Sequence, residues 1–409
     1  MSPHVPRGST VLRPFVMVCV VIGLTVAACG TPRPLPSQSL TWVSVPAADG
    51  RVRYTGRTYR SATGVVFSHP GVTIRASFWG DALRMKLHDA GLGGEVGTNY
   101  FDVSIDGAAP QPLAVHRDQP TYVLATGLAV GPHTVELVKR TESSVGSSEL
   151  VALEVHGELQ EPPARTAPVM EFIGDSITCG YGTEVSGIPQ TPFWRAPTFT
   201  SAHQNPRRGY AWLTALSLGA EPVLVCYSGR GIYRNLDAST SGLLPALYEL
   251  AVPDHAVPWD FSQASPDVIV VNAGTNDTFA GHGTTQYLPD EAAFKSAYRA
   301  FLQRLRTLHP RAHIICTLGS MTDGHKETEG TDKPSSVHVG HWLTDVVTER
   351  QRQGDVRVYR HEMAEQVPEL DGVAEDWHPS AATHLKMAEA LRRFIEAQLI
   401  PLPSPRVRP

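Results

Sequence analysis

Charge is scarce and scattered in this chain. Only 18% of its 409 residues are charged, the net charge is -5, and no Lys/Arg cluster marks a surface for nucleic acid, so partners held through a polyanionic backbone are not expected. Cysteine is scarcer still. Five cysteines exclude a small disulfide-built scaffold, and with 42% apolar residues the chain has to rest on packed cores, with room for two. No C-x-x-C and no paired Cys/His spacing suggests zinc. His338, His341 and Asp345 do fall at i, i+3 and i+7 of an expected helix, a spacing that mimics a ligand face but equally suits solvated helix residues, and no metal is expected. Heptads and exposed apolar helices are also missing, so nothing asks for a second copy and a monomer is expected.

A long apolar span is missing too. The run Phe15 to Val26, behind Arg7 and Arg13, is too short for a confident membrane crossing and reads as an export signal. It ends in Val26-Ala27-Ala28-Cys29-Gly30, which resembles a bacterial lipobox in which Cys29 takes lipid and becomes the first mature residue; the plainer alternative is a secretory signal with an incidental Cys. Residues 1–28 are therefore set aside as signal, and the Pro-rich 29–39 as a tether lifting the folded part from a membrane. The only expected membrane contact is that N-terminal lipid anchor, on an exported, cell-envelope or otherwise secreted protein. With Cys19 and Cys29 removed, Cys179, Cys226 and Cys316 allow at most one internal disulfide, and buried free thiols fit as well.

What is present divides in two at the Pro-rich stretch 161–168. Over 40–160, β-prone runs such as Val72 to Phe78, Ala82 to Leu87, Tyr100 to Ile105, Tyr122 to Ala125, His133 to Val138 and Leu150 to Val155 are joined by turns like Asp106-Gly107. Without a helical period this predicts an antiparallel β-sandwich of the jelly-roll kind. Over 169–402, strands expected at Val169 to Ile173, Pro222 to Tyr227, Asp267 to Asn272, His313 to Leu318 and Val356 to Tyr359 alternate with amphipathic stretches. Phe294, Tyr298, Phe301, Leu302, Leu305 and Leu308 mark one such helical face. That rhythm predicts a flavodoxin-like, three-layer α/β/α domain whose ligands sit beyond the carboxyl ends of the strands.

The chemistry-bearing residues follow those strand ends. Gly174-Asp175-Ser176-Ile177-Thr178-Cys179-Gly180-Tyr181-Gly182 places a small nucleophile on a glycine-rich turn straight after a strand, although the spacing is not the G-x-S-x-G elbow. Ser228-Gly229-Arg230-Gly231 follows the second strand, where a glycine leaves a backbone N–H free to meet an oxyanion, and a tight structural turn would use the same glycines. Asn272-Ala273-Gly274-Thr275-Asn276-Asp277 ends the third. Glu375-Asp376-Trp377-His378-Pro379 precedes the last amphipathic helix and offers His378 as general base, with His384 as fallback.

These blocks resemble the SGNH (GDSL) hydrolases, and GDSITCGYG is similar to the carbohydrate esterase family 2 branch. Arg53-Tyr54-Thr55-Gly56-Arg57, Asn99-Tyr100 with Ile105-Asp106-Gly107, and His133-Thr134-Val135 with Lys139-Arg140-Thr141-Glu142 resemble that branch's N-terminal jelly-roll domain. The resemblance implies Ser176 as nucleophile, His378 as base, and the amides of Ser176 and Gly229 with the Asn276 side chain as oxyanion hole, Gly231 being a weaker alternative to Gly229. The chain departs from the superfamily in the third catalytic member, because Glu375 stands three residues before His378 where Asp is usual. Asp376 is expected to orient the imidazole, the alternative being a backbone carbonyl. The implied activity is removal of O-acetyl groups from xylan- or mannan-type polysaccharide, with acetylated poly- or oligosaccharide as partner and no cofactor. A lipase or esterase for other acyl esters, or a non-catalytic surface glycan-binding protein, are the rivals. Trp377 either floors a sugar site or packs. Phe193, Trp194 and Phe199, in the loop 183–207 that with 321–336 is expected to border the site, either form an aromatic platform or anchor that loop.

Overall fold

Side chains that alternate between core and surface build the first half of the chain, the pattern of strands with one buried face. The computed structural model describes residues 40–162, 167–185, 187, 196–263, 265–278, 288–321 and 335–399. The strands are β1 (Trp42–Pro46), β2 (Arg53–Thr55), β3 (Tyr59–Arg60), β4 (Val65–Phe67), β5 (Thr73–Asp89), β6 (Asn99–Ile105), β7 (Gln111–Val115), β8 (Thr121–Ala125), β9 (Gly131–Lys139) and β10 (Ser148–Gln160), with one helical turn, α1 (Gly94–Gly97). The main ladder runs β3-β4-β10-β5-β9-β6-β7, with β1 on β10 and both β2 and β8 on β5.

The two strands expected at Val72–Phe78 and Ala82–Leu87 are one, the 17-residue β5. Gly80 and Asp81 make no turn, because the ladder to β10 continues past them: Gly80 faces Gly157, Ala82 faces His156, and Asp81 is the extra residue of a bulge. The crossing needs glycine. At φ +140°, a Cβ on Gly157 would lie 2.0 Å from the Trp79 carbonyl oxygen, and one on Gly80 would lie 2.2 Å from that of His156. Past this bend β5 exchanges β9 for β8 as neighbour, which folds the antiparallel sheet over on itself as a sandwich. Phe67, Phe78, Leu83, Met85, Phe101, Leu137 and Leu153 fill the interior, each worth about 1.5–3 kcal/mol of burial.

The second half contains β11 (Val169–Gly174), β12 (Glu221–Cys226), a small hairpin of β13 (Leu250–Val252) and β14 (Val257–Pro258), then β15 (Val268–Asn272), β16 (His313–Thr317) and β17 (Val358–Arg360). The five long-range strands form a parallel sheet in the order β12-β11-β15-β16-β17, each within two residues of its expected bounds. Helices are α2 (Ser176–Cys179), α3 (Tyr210–Ser217), α4 (Leu244–Leu247), α5 (Thr275–Thr278), α6 (Glu291–Leu308), α7 (Ser335–Arg352), α8 (Pro368–Asp371) and α9 (Ala381–Leu399). The predicted face of α6, Phe294, Tyr298, Phe301, Leu302 and Leu305, packs with Val339, Leu343 and Val346 of α7 on one side of the sheet. Tyr210 and Trp212 of α3 with Met387, Leu391 and Ile395 of α9 cover the other. The first strand lies between the second and the third, so the order reverses at β11/β15, where a crevice opens at the carboxyl ends.

Polar contacts join the halves, and from Leu40 onward the described residues pack as one compact unit. Arg57 of the sandwich, fully buried, donates through Nη2 to Glu171 Oε1 at 3.1 Å and through Nη1 to the carbonyl oxygens of Tyr248 and Leu250, with its guanidinium 4.4 Å from the Tyr248 ring centroid. Removing one partner of such a buried pair costs about 3–5 kcal/mol.

Candidate active site

Ser176, Gly229 and Asn276 follow strand ends, and His378 precedes the last helix. Past β11, Asp175 caps the single turn α2, its Oδ1 accepting the Ile177 N–H at 3.0 Å, and Ser176 becomes the first helical residue. The Ser176 amide therefore has no acceptor within the turn. Burial pushes the Asp175 carboxyl up to about 7 against the pull of the Ile177 N–H. Cys179, the last residue of α2, is disulfide-bonded to Cys226, the last residue of β12, which braces the nucleophile turn on its neighbouring strand; Cys316 is a buried free thiol.

His378 comes to Ser176 from 202 residues away, with Nε2 2.8 Å from Oγ. Its Nδ1 lies 3.0 Å from the backbone carbonyl oxygen of Glu375. A carbonyl only accepts, so Nδ1 carries the proton, Nε2 is left as acceptor, and the Ser176 hydroxyl donates to it. Burial pulls the imidazole down to about 4, while the Glu375 carbonyl and the Asp376 charge pull the other way. His384 is elsewhere: its Nδ1 accepts the Tyr210 N–H at 3.1 Å inside the α3/α9 core.

Asp376 does not take the expected place. Its backbone is left-handed, φ +47°, as is that of Trp377, φ +64°, and this turn carries the Asp376 side chain away from the ring. Its Oδ2 accepts instead from the Tyr181 hydroxyl at 2.7 Å and the Phe199 N–H at 3.1 Å. The same turn brings the Glu375 carbonyl to the imidazole, so the backbone alternative replaces the carboxylate. The Glu375 side chain is buried and clamps the loop, accepting from His203 Nδ1 at 2.7 Å and Thr200 N–H at 3.1 Å. Tyr181 stacks on His378 with ring centroids 4.0 Å apart, and Phe199 lies against Tyr181 at 4.6 Å, which makes Phe199 a loop anchor. Trp377 is 44% exposed beside the base and does not simply pack. Phe193 and Trp194 lie outside the described residues, as do Cys29 and most of 321–336.

Across the crevice, Gly229 is left-handed at φ +77°, and among the described residues its N–H meets no acceptor, while its carbonyl takes the Leu236 N–H at 2.8 Å. Gly231 is consumed, its N–H donating to Asn235 Oδ1 at 3.1 Å. Asn276, on α5, is buried and reaches the site, but Nδ2 already donates to the Arg230 carbonyl at 3.0 Å and to Asp175 Oδ2 at 3.3 Å. Serving as third oxyanion donor therefore requires it to share a hydrogen with one of them. Asp277 holds the same turn, accepting from the amides of Ile232, Tyr233 and Arg234 at 3.0, 2.7 and 3.0 Å. On α7, Asp345 accepts from Lys295 Nζ at 2.7 Å, and among the described residues no three His, Cys, Asp or Glu side chains are grouped to hold a metal.

Sequence reasoning missed Tyr181, His203 and Glu142. Tyr181 was visible inside the nonapeptide. For Glu142 the signal was the polar run Lys139-Arg140-Thr141-Glu142 at a strand exit, all four buried in the fold.

Residues 54–163 match the family described as carbohydrate esterase 2 N-terminal, and residues 172–386 the GDSL-like lipase/acylhydrolase family. An acetylxylan esterase / glucomannan deacetylase of Cellvibrio japonicus is 30% identical over 74% of this chain and 79% of its own length. The chain belongs to the family 2 carbohydrate esterases. The cellulase/esterase CelE of Acetivibrio thermocellus is 34% identical over 85% of the esterase described here, which spans only 39% of CelE. The solved family two carbohydrate esterase from Clostridium thermocellum, in complex with cellohexaose, superposes with a TM-score of 0.75 at 32% identity, covering 85% of this chain and 99% of that one.

Proposed function

We propose that this esterase is exported and removes O-acetyl groups from xylan- or mannan-type polysaccharide through an acyl-enzyme on Ser176. The observation that carries the reading is the relay from Ser176 Oγ to His378 Nε2 at 2.8 Å and from His378 Nδ1 to the Glu375 carbonyl at 3.0 Å. Ser176 Oγ attacks the acetyl carbonyl carbon as its proton passes to Nε2, and the negative charge on the carbonyl oxygen faces the Ser176 and Gly229 amides. His378 returns that proton to the departing sugar oxygen. Water then attacks the acetyl-serine, again giving a proton to Nε2, and acetate leaves as Ser176 recovers its hydrogen. The carbonyl of Glu375 fixes the tautomer and stabilises the imidazolium without changing its own protonation.

The half-exposed Trp377 beside the base supports a sugar ring as the leaving group, as do the names of the relatives. A disulfide-bonded nucleophile turn supports an oxidising compartment, in keeping with the export pattern and lipidation of Cys29. Acetate release over a panel of acetylated xylan, glucomannan and peptidoglycan tests the substrate. A p-nitrophenyl ester series tests the acyl group: acetate is expected to be hydrolysed fastest, and a maximum at octanoate would sink the acetylesterase reading. Metabolic labelling with a palmitate analogue, lost in Cys29→Ser, tests the anchor.

A further inference from the structure

The turn that carries the oxyanion amide is held from the other domain. Beyond β9 the sandwich chain enters the hydrolase half, pinned at each step. Lys139 Nζ donates to the Thr141 carbonyl at 2.7 Å and to Asn99 Oδ1 at 2.9 Å. Arg140 donates to the carbonyl oxygens of Gln204 at 3.1 Å and Ala202 at 2.8 Å. The Glu142 N–H donates to Gln204 Oε1 at 3.0 Å. At the tip, the fully buried Glu142 carboxylate accepts the Ser228 N–H at 2.7 Å on Oε2, and the Ser228 hydroxyl at 2.5 Å and Gln204 Nε2 at 3.2 Å on Oε1; Oε2 also lies 3.9 Å from Cys179 Sγ, in the disulfide to Cys226.

Ser228 is the residue immediately before Gly229. With β12 ending at Cys226, the short segment between that strand end and the oxyanion glycine has its backbone N–H and its hydroxyl both committed to one carboxylate from 86 residues upstream. Burial pushes the Glu142 carboxyl up while the Ser228 hydroxyl and N–H, Gln204 and the Lys139 charge pull it down. Two short bonds from one buried carboxyl to the N–H and hydroxyl of a single residue fix that residue's orientation. An oxyanion donor works only if its N–H is already aimed when charge develops. We propose that Glu142 of the β-sandwich is a positioning residue for catalysis, setting the Ser228-Gly229 turn so that the Gly229 N–H faces the oxyanion. The proposal rests on the reading of Gly229 as an oxyanion donor, and it gives the sandwich a part in the chemistry of the hydrolase domain, whatever it does with glycans.

The test uses the full chain with two readouts: kcat and KM on p-nitrophenyl acetate, and affinity for a short alkylboronic acid, which adds Ser176 Oγ to boron to make a tetrahedral anion. Glu142→Ala should lower kcat about ten- to a hundredfold, less than the 10²–10³ for deleting a donor outright, and weaken boronate binding by a similar factor, with KM changed by less than about threefold. Glu142→Gln keeps one acceptor, enough for the Ser228 N–H, but turns its NH2 toward the Gln204 Nε2 donor, so it should recover part of both and fall between Ala and wild type. A folded Glu142→Ala protein with wild-type kcat and boronate affinity overturns the proposal, as does a Gln variant no better than Ala. Should the Ala variant fail to fold, Glu142→Gln against Glu142→Asp carries the test. Asp, one methylene short, should lose about tenfold more in kcat than Gln, and equal values overturn the idea. Failure of the underlying reading shows separately: a crystal structure of the wild-type boronate complex with no boronate oxygen within hydrogen-bond distance of the Gly229 N–H removes the oxyanion role of Gly229, whereas that contact present beside an unimpaired Glu142→Ala removes only Glu142.

Discussion

The two walls of the active site are built in opposite ways. On the base side, four consecutive residues, Glu375 to His378, contain both the imidazole and the carbonyl that orients it, and a left-handed turn at Asp376 and Trp377 brings the two together. On the proposed oxyanion side, Ser176 follows β11, Gly229 follows β12, Asn276 follows β15, and the carboxyl group that holds the Gly229 turn comes from the sandwich. The base wall is local and strained at Asp376 and Trp377; the other wall is long-range, and its one left-handed position is a glycine, which adopts that backbone freely. A local wall can be damaged by changing its own backbone preferences. An assembled wall can be damaged from another domain.

The largest effects belong to the pair that joins the walls. Ser176→Ala and His378→Ala should each lower kcat by at least about 10⁴-fold on p-nitrophenyl acetate while leaving the thermal midpoint nearly unchanged, since removing a nucleophile or its base leaves only binding and oxyanion contributions. Activity surviving in Ser176→Ala would end the acyl-enzyme reading. Next comes Gly229→Ala. A Cβ there meets nothing closer than Leu236 Cβ at 3.8 Å, so the cost is conformational, about 1–2 kcal/mol for holding a non-glycine residue at φ +77°. If the turn relaxes and re-aims its N–H, kcat should fall about five- to thirtyfold by that same energy, with KM little changed. An unchanged kcat with a lowered thermal midpoint would mean that the turn keeps its shape and the conformational cost falls on folding instead of on catalysis.

The contrast also explains what could be read from the sequence. The parallel sheet was legible because buried strands and the Phe294-to-Leu305 face carry their period in the chain itself. Ser176 and His378 are singled out by their place just past a strand and before the last helix, whereas Gly229 and Asn276 stand out from structural turn residues only through the family resemblance. The orienting group was not, because composition cannot tell that Asp376 will adopt φ +47° and give its carboxylate to Tyr181 and Phe199. The joining of Val72–Phe78 to Ala82–Leu87 was hidden for a similar reason. Gly80-Asp81 looks like a turn, and only the facing Gly157 makes it a bulge in a continuous ladder. Glu142 stood in a visible polar run at a strand exit, but nothing in that run points to Ser228 as its partner 86 positions away.

A smaller effect is expected from the carboxylate that the base wall does not use for orientation. In a triad where Asp fixes the imidazole, Asp→Asn costs about 10⁴-fold in kcat through the wrong tautomer. Here Asp376→Asn should cost less than about tenfold, because the Glu375 carbonyl still takes the Nδ1 proton, Asn tolerates the left-handed backbone, and its amide oxygen can accept from Tyr181 or from Phe199. A loss near 10⁴ would return Asp376 to the triad. Glu375→Gln should instead show first in stability, since it removes the charge facing the partly exposed His203, and the thermal midpoint is the measurement that separates the two carboxylates.

The mildest test asks only where the rate falls in acid. The proposed mechanism needs neutral His378, and burial pulls its folded-state value below the ordinary 6.5 to about 4. The neutral form therefore persists as pH drops through 6.5, and the acid limb of kcat/KM, which reports the free enzyme, should bend near pH 4 to 5 instead of near 6.5. The Asp376 charge is one of the pulls that keep the value from falling further, so Asp376→Asn should move the limb to lower pH, the direction expected when an anion beside an imidazolium is removed. Were the carboxylate bonded directly to Nδ1, its loss would move the limb by far more and lower the plateau with it. A small acid shift with the plateau nearly kept is the signature of a base oriented by its own backbone.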